Sequence, residues 1–289
     1  MKRHVRVIAG LGVLSIVLMH MMACSPAGAV VAEEGQRPVS LGEPAESTPP
    51  AADTVPSCAN PTPQTAAGCA ALAEKILAST VRLVLHGPGG GVGHATVIGG
   101  RYLVTHNHFP VSGEALSHGG EGLVTTVSVF RANDDIVLLN APLTLFSVTY
   151  IAPEALVLDF HEYNGDGFFK KAGIQSVKPG RWSSLNLRPG TEVAQVDGDL
   201  NATRLVWTKV TAVSMTEPTP YLELDSFVEH GASGGGVFYN GVHIANNWSR
   251  NTDFVAATGE VVRQYSLAAL NSGSIVALGG AADIALAGQ

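Results

Sequence analysis

The sequence predicts an all-β fold of barrel or sandwich type, and three observations carry that expectation. From about residue 80 onward, short runs of β-branched and apolar residues recur at the length of strands. Gly and Pro clusters punctuate them, as turns between successive strands require. Only one stretch, ahead of the first strand, has helical spacing. The 289 residues are 46% hydrophobic and 14% charged, which permits a packed core and excludes general disorder.

The elements follow in chain order. Lys2, Arg3 and Arg6 precede an apolar stretch from Val7 to about Met22, interrupted by His20. This is the shape of an export signal, too short and too quickly broken for a spanning helix. Met21-Met22-Ala23-Cys24 resembles a bacterial lipobox, so residues 1–23 are expected to be removed and Cys24 to become a lipidated N-terminus at a membrane. Ordinary cleavage after Ala29 is the alternative. Either way the protein is expected outside the cytoplasm. Residues 24–67 hold eight of the sixteen prolines and read as a semi-extended tether. Cys58 and Cys69 form an even pair in an exported chain and are expected to make a disulfide.

Leu72, Ile76 and Leu77 among alanines predict one short helix over Ala66–Ala78. Strands are expected at 81–85, 92–98, 101–105, 123–130, 136–139, 143–151 and 155–160. The polar stretch 162–171 reads as a loop. A second set of strands is expected at 183–187, 192–196, 205–215, 221–224, 236–239, 242–246 and 260–267. Residues 279–289 are small and featureless, and fraying is expected there.

Three local patterns carry chemistry. In Gly231-Ala232-Ser233-Gly234-Gly235-Gly236 a single serine lies between glycines, which can turn backbone N–H groups toward a common point beside the hydroxyl. In Tyr102-Leu103-Val104-Thr105-His106-Asn107-His108 a polar His-Asn-His follows a strand. A histidine there suits a general base, and the residues alone leave His106 and His108 open. In Asn133-Asp134-Asp135-Ile136-Val137-Leu138-Leu139 an acid precedes an apolar run. A carboxylate at the mouth of a buried strand, half shielded from water, suits the orienting of an imidazole.

Taken together, in the order His, Asp, Ser, these patterns resemble the trypsin/chymotrypsin-fold serine peptidases over roughly residues 79–248. Thr105-His106-Asn107-His108 matches the family's Thr-X-X-His and selects His108. Asp135-Ile136-Val137-Leu138-Leu139 matches the strand opened by the family's acid and selects Asp135. Gly231-Ala232-Ser233-Gly234-Gly235 matches the nucleophile motif at all but one position. Leu222-Glu223-Leu224-Asp225-Ser226 is similar to the strand before the nucleophile in bacterial members of the high-temperature-requirement type.

The resemblance implies a peptidase domain over 68–289 made of two six-stranded β-barrels of the chymotrypsin type, about 79–161 and 172–270, with the active site in the cleft between them. The appended peptide-binding domain of many bacterial relatives is not expected. The resemblance further implies a serine endopeptidase acting on polypeptides without a cofactor. Ser233 would be the nucleophile, His108 the base and Asp135 the orienting acid, and the N–H groups of Gly231 and Ser233 would receive the oxyanion. Phe227, six before the serine, would floor the primary pocket, with His230, Asn246, Asn247 and Trp248 around it. A bulky floor without a carboxylate points to small aliphatic side chains. Glutamate-specific relatives carry a histidine near the position of Asn247.

One departure matters. Ala232 stands where the family has Asp or Asn, so no ion pair from that position can order the turn. An inactive two-barrel binding protein is therefore the competing reading. A metal site built from His94, His106, His108 and His118 is a weaker one, because their spacing is irregular. The net charge of −7, with no basic patch, argues against nucleic acid as a partner.

Overall fold

The computed structural model describes residues 4–8, 57–88, 90–106, 124–151, 155–160, 167–181, 185, 187–199, 201–215, 219–255 and 258–287. His108, His118 and Cys24 lie outside these residues, as does most of the expected 183–187 strand.

Strand β1 (His4–Ile8) is followed in the element order by helix α1 (Ala66–Ala78). The first β-unit contains β2 (Thr80–His86), β3 (Gly91–Ile98), β4 (Tyr102–His106), β5 (Thr126–Arg131), β6 (Val137–Pro142), β7 (Ser147–Ile151) and β8 (Ala155–Asp159). Their order across the sheet is β6-β5-β2-β3-β4-β8-β7. This is a curled sheet with β6 and β7 at its edges. Alternation decides its inner face: Val81, Leu83 and Leu85 of β2 join Val97, Leu103, Val127, Val129, Leu156 and Leu158 in one core. The Phe146, Phe160 and Phe169 rings close one end of it.

Phe169 comes from α2 (Phe168–Lys171), a single helical turn inside the stretch expected to be loop. Burying its ring is what fixes that turn against the sheet. Residues 174–180 then cross to the second unit, with bridges from Val177 to Ile98 and from Pro179 to His243.

The second unit contains β9 (Glu192–Gly198), β10 (Thr203–Ser214), β11 (Tyr221–Leu224), β12 (Gly236–Tyr239), β13 (Val242–Val255) and β14 (Val261–Leu270). The order β13-β12-β9-β10-β11-β14 is closed by a β13–β14 pairing, giving a six-stranded barrel with no free edge among these strands. Val193, Val210, Leu222, Leu224, Val237, Ile244, Ala268 and Leu270 fill it. Strand β1, which falls within the expected export signal, lies parallel to β13 outside the closed ring. The all-β, two-unit expectation thus holds, one unit being closed and the other curled.

Helices flank the two β-units at both ends of the described domain. Helix α1 packs through Ile76 against Ala194, Val196 and Phe238. The Cys58–Cys69 disulfide ties the stretch before it, with a Cα–Cα distance of 5.4 Å. The C-terminal stretch expected to fray is instead helix α3 (Gly273–Ala287), anchored by Ile275 among Ile98, Val104, Ala155 and Val157 of the first unit. An alanine- and glycine-rich run gives little amphipathic signal, which is why composition alone reads as featureless.

Candidate active site

The Ser233 turn lies at the junction of the two units. It joins the Leu224 end of β11 to β12, and Gly231 and Gly234 have φ of +105° and +78°, a region that side-chain-bearing residues rarely adopt. Gly234 packs on the backbone of His94 and His106 and on the Thr105 hydroxyl, and a Cβ there would collide with all three. The end of β4 therefore abuts the turn, and His108 follows His106 by two residues along the chain.

Each carbonyl from 231 to 233 is held. The His94 ring Nδ1 is 2.9 Å from the Gly231 oxygen, and the His94 backbone N–H donates to the Ser233 oxygen at 2.9 Å. Asn247 Nδ2 donates to the Ala232 oxygen at 3.0 Å and to the Val196 oxygen at 2.7 Å, while its own Oδ1 accepts from Gln195 Nε2 at 2.8 Å. The Gly235 N–H also reaches the Ala232 oxygen, at 2.9 Å. Within a trans peptide unit C=O and N–H point oppositely, so anchoring the Ala232 oxygen fixes the direction of the Ser233 N–H. No hydrogen bond among the described residues uses the N–H of Gly231 or of Ser233. Ser233 itself is 5% exposed.

The entry to the turn is anchored separately. Asp197, buried at the end of β9, accepts from the Glu229 N–H at 2.7 Å and the Gly198 N–H at 2.8 Å on one oxygen. Its other oxygen takes Arg204 Nε at 2.9 Å and Nη2 at 2.6 Å. Asp197 and Arg204 are direct cross-strand partners of the β9–β10 hairpin. A buried carboxylate with two amides and a guanidinium has its lone pairs well used.

His94 is fully buried, and burial pushes its pKa down to about 4. The Gly231 oxygen can only accept, so Nδ1 carries the proton and Nε2 accepts from the Thr203 hydroxyl, 2.9 Å away. Both nitrogens are thus committed, which removes His94 from the metal-site reading. His243 is likewise buried and pushed down to about 4 by burial. Its ring meets Asn246 Oδ1 and Asn271 Nδ2, each at 3.2 Å.

Several expectations need correction. Asp135 is not half shielded: its side chain is 91% exposed and pairs with Arg82 Nη2 at 2.9 Å. The physical reason is its place at the edge of an open sheet. Ile136 and Val137, expected in a buried strand, are 50% and 53% exposed because β6 has no neighbour on its outer side among the described residues. Asn246 and Asn247 do not wall a pocket with their side chains; both are buried and spent on internal hydrogen bonds. Phe227 is 38% exposed, with the Arg250 guanidinium 5.1 Å from its ring centroid. His230 is exposed, and the Trp248 ring lies near Tyr221.

No family model matches the sequence, and no curated protein matches it. The chain is similar in fold to trypsin-like serine proteases. A "Glu endopeptidase in complex with MPD" is 15% identical, with a TM-score of 0.49 over 71% of this chain and 90% of the other. The active form of the Rv3671c protease from M. tuberculosis is 14% identical, with a TM-score of 0.47 over 71% and 81%. The "HtrA-type protease AlgW with tripeptide" is 15% identical, with a TM-score of 0.47 over 70% of this chain, which spans 59% of that protein's chain. These are likenesses of shape, and the two-unit architecture rests on the strand pairings themselves.

Proposed function

We propose that the protein is an exported serine endopeptidase that hydrolyses polypeptides through Ser233. The hydroxyl attacks the peptide carbonyl while His108 takes its proton. The tetrahedral oxyanion is met by the Gly231 and Ser233 N–H groups. His108 returns the proton to the leaving amine, and water then releases the acyl group by the same route in reverse. Asp135 is the orienting acid of this reading. Preference for small aliphatic residues beside the scissile bond, and attachment to a membrane through a lipid on Cys24, belong to the same proposal.

The observation that supports it most is the state of the turn. Its carbonyls are engaged from both sides, and among the described residues the two N–H groups needed for an oxyanion are not spent. The sequence also brings His108 two residues beyond the strand end that abuts Gly234. The test is hydrolysis of unfolded casein by the wild type and by Ser233→Ala. Loss of turnover in the variant, with the fold retained, is the expected result; retained turnover overturns the assignment of the nucleophile.

A second reading has one specific observation in its favour. An exposed carboxylate paired with Arg82 is a poor orienter of an imidazole, and that suits a binding protein with a vestigial triad. Wild-type turnover separates the two, since a vestigial triad gives none, and Asp135→Asn then tests the role of the acid. A working triad member loses about four orders of magnitude in kcat on such a change, whereas a surface ion pair leaves kcat within a few-fold.

A further inference from the structure

Ala232 stands where the resembled family has Asp or Asn, so position 232 offers neither a charge nor an amide to order the turn that carries Ser233. Other groups hold it, and they come from both β-units. On one side His94, from β3, sends its ring to the Gly231 oxygen and its backbone N–H to the Ser233 oxygen. On the other side Asn247, from β13, sends its amide to the Ala232 oxygen. Each is itself locked. Thr105 Oγ1 donates to the His94 carbonyl at 2.7 Å and Thr203 Oγ1 meets its ring, while Gln195 and the Val196 carbonyl hold the Asn247 amide. Both residues are at most 2% exposed, so neither can exchange its partner for water.

Resting on the proposed peptidase reading, we propose that His94 and Asn247 are the positioning residues of the oxyanion turn, Asn247 fixing the Ala232–Ser233 peptide and His94 the peptides on either side of it, so that the Ser233 N–H is held ready although position 232 carries neither Asp nor Asn. His94 acts through Gly231 and Ser233 and touches no reacting atom. Its donor must sit at Nδ1, since that is the nitrogen facing the Gly231 oxygen. Asparagine can place an amide nitrogen close to where Nδ1 lies, and glutamine places one nearer to Nε2. The clamp therefore distinguishes two substitutions of similar polarity.

The test measures two quantities on the full chain: backbone hydrogen exchange over residues 229–235, and kcat and KM per serine titrated by a fluorophosphonate. In His94→Leu the exchange over 229–235 is expected to rise at least about tenfold while β2 and β9 stay protected. The same variant loses kcat about a hundredfold, the size of effect seen when one oxyanion donor is lost, with KM within a few-fold. His94→Asn restores both quantities to within about tenfold of wild type, and His94→Gln does not. Should His94→Leu fail to fold, the Asn and Gln variants decide alone. Unchanged exchange in His94→Leu, unchanged kcat per titrated serine, or equal behaviour of the Asn and Gln variants overturns the clamp. A wild type that neither labels nor hydrolyses overturns the peptidase reading instead, and the clamp is then judged by exchange alone.

Discussion

Gly234 shows how narrow the choice of residue is at this site. Its positive φ and its contact with Thr105 and His94 leave no space for a methyl group. Gly234→Ala is expected to destabilise the protein by more than about 2 kcal/mol, measured as a shift of urea midpoint at constant slope. The buried histidines make a second prediction. His94 and His243 are neutral in the fold with pKa values near 4, against 6.5 for an unconstrained imidazole. Between those values the unfolded chain binds more protons, so stability rises with pH. Each histidine contributes stability that is complete above about pH 6.5 and has fallen by roughly 3 kcal/mol at pH 4. Urea midpoints at pH 7, 5.5 and 4 should decline steadily, and replacement of His243 by an apolar residue should flatten the curve.

At the scale of elements, the Cys58–Cys69 loop and α1 behave as one unit. The disulfide closes a short loop, worth about 3 kcal/mol by chain entropy, and Glu192 fastens the same stretch by accepting from Ser57 Oγ at 2.8 Å and the Ala59 N–H at 3.2 Å. Reduction, or Cys58→Ala with Cys69→Ala, should lower the melting temperature by several degrees and leave the barrel cores intact, as near-ultraviolet circular dichroism can show. Strands such as β2 and β9 were legible because their β-branched runs end at glycines. The exposed run after Asp135 was not. An apolar stretch of four residues reads the same whether its sheet closes over it or stops beside it, and only the pairing order reveals that β6 is an edge. The α3 helix was hidden for another reason: its anchors, Ile275 and Leu278, are long-range contacts in a run of alanines and glycines with little local period.

Over the whole molecule, the two units meet where a strand end of the first touches the turn of the second. Sequence reasoning singled out the serine and its glycines because the motif is local. It missed His94, Asn247 and the Asp197–Arg204 pair as supports of the turn, since their partners lie between 7 and 137 residues away. Only the cross-strand pair left a trace, as opposite charges flanking the Asp197-Gly198-Asp199 hairpin. The molecule is thus a scaffold whose buried polar groups converge on one small loop, and the account stands on that loop being reactive. The most direct measurement is treatment of the purified full chain with a fluorophosphonate probe, followed by peptide mass spectrometry. The account predicts a single covalent adduct on Ser233, formed by wild type and abolished in His108→Ala. An unmodified Ser233 in a correctly folded protein would contradict it.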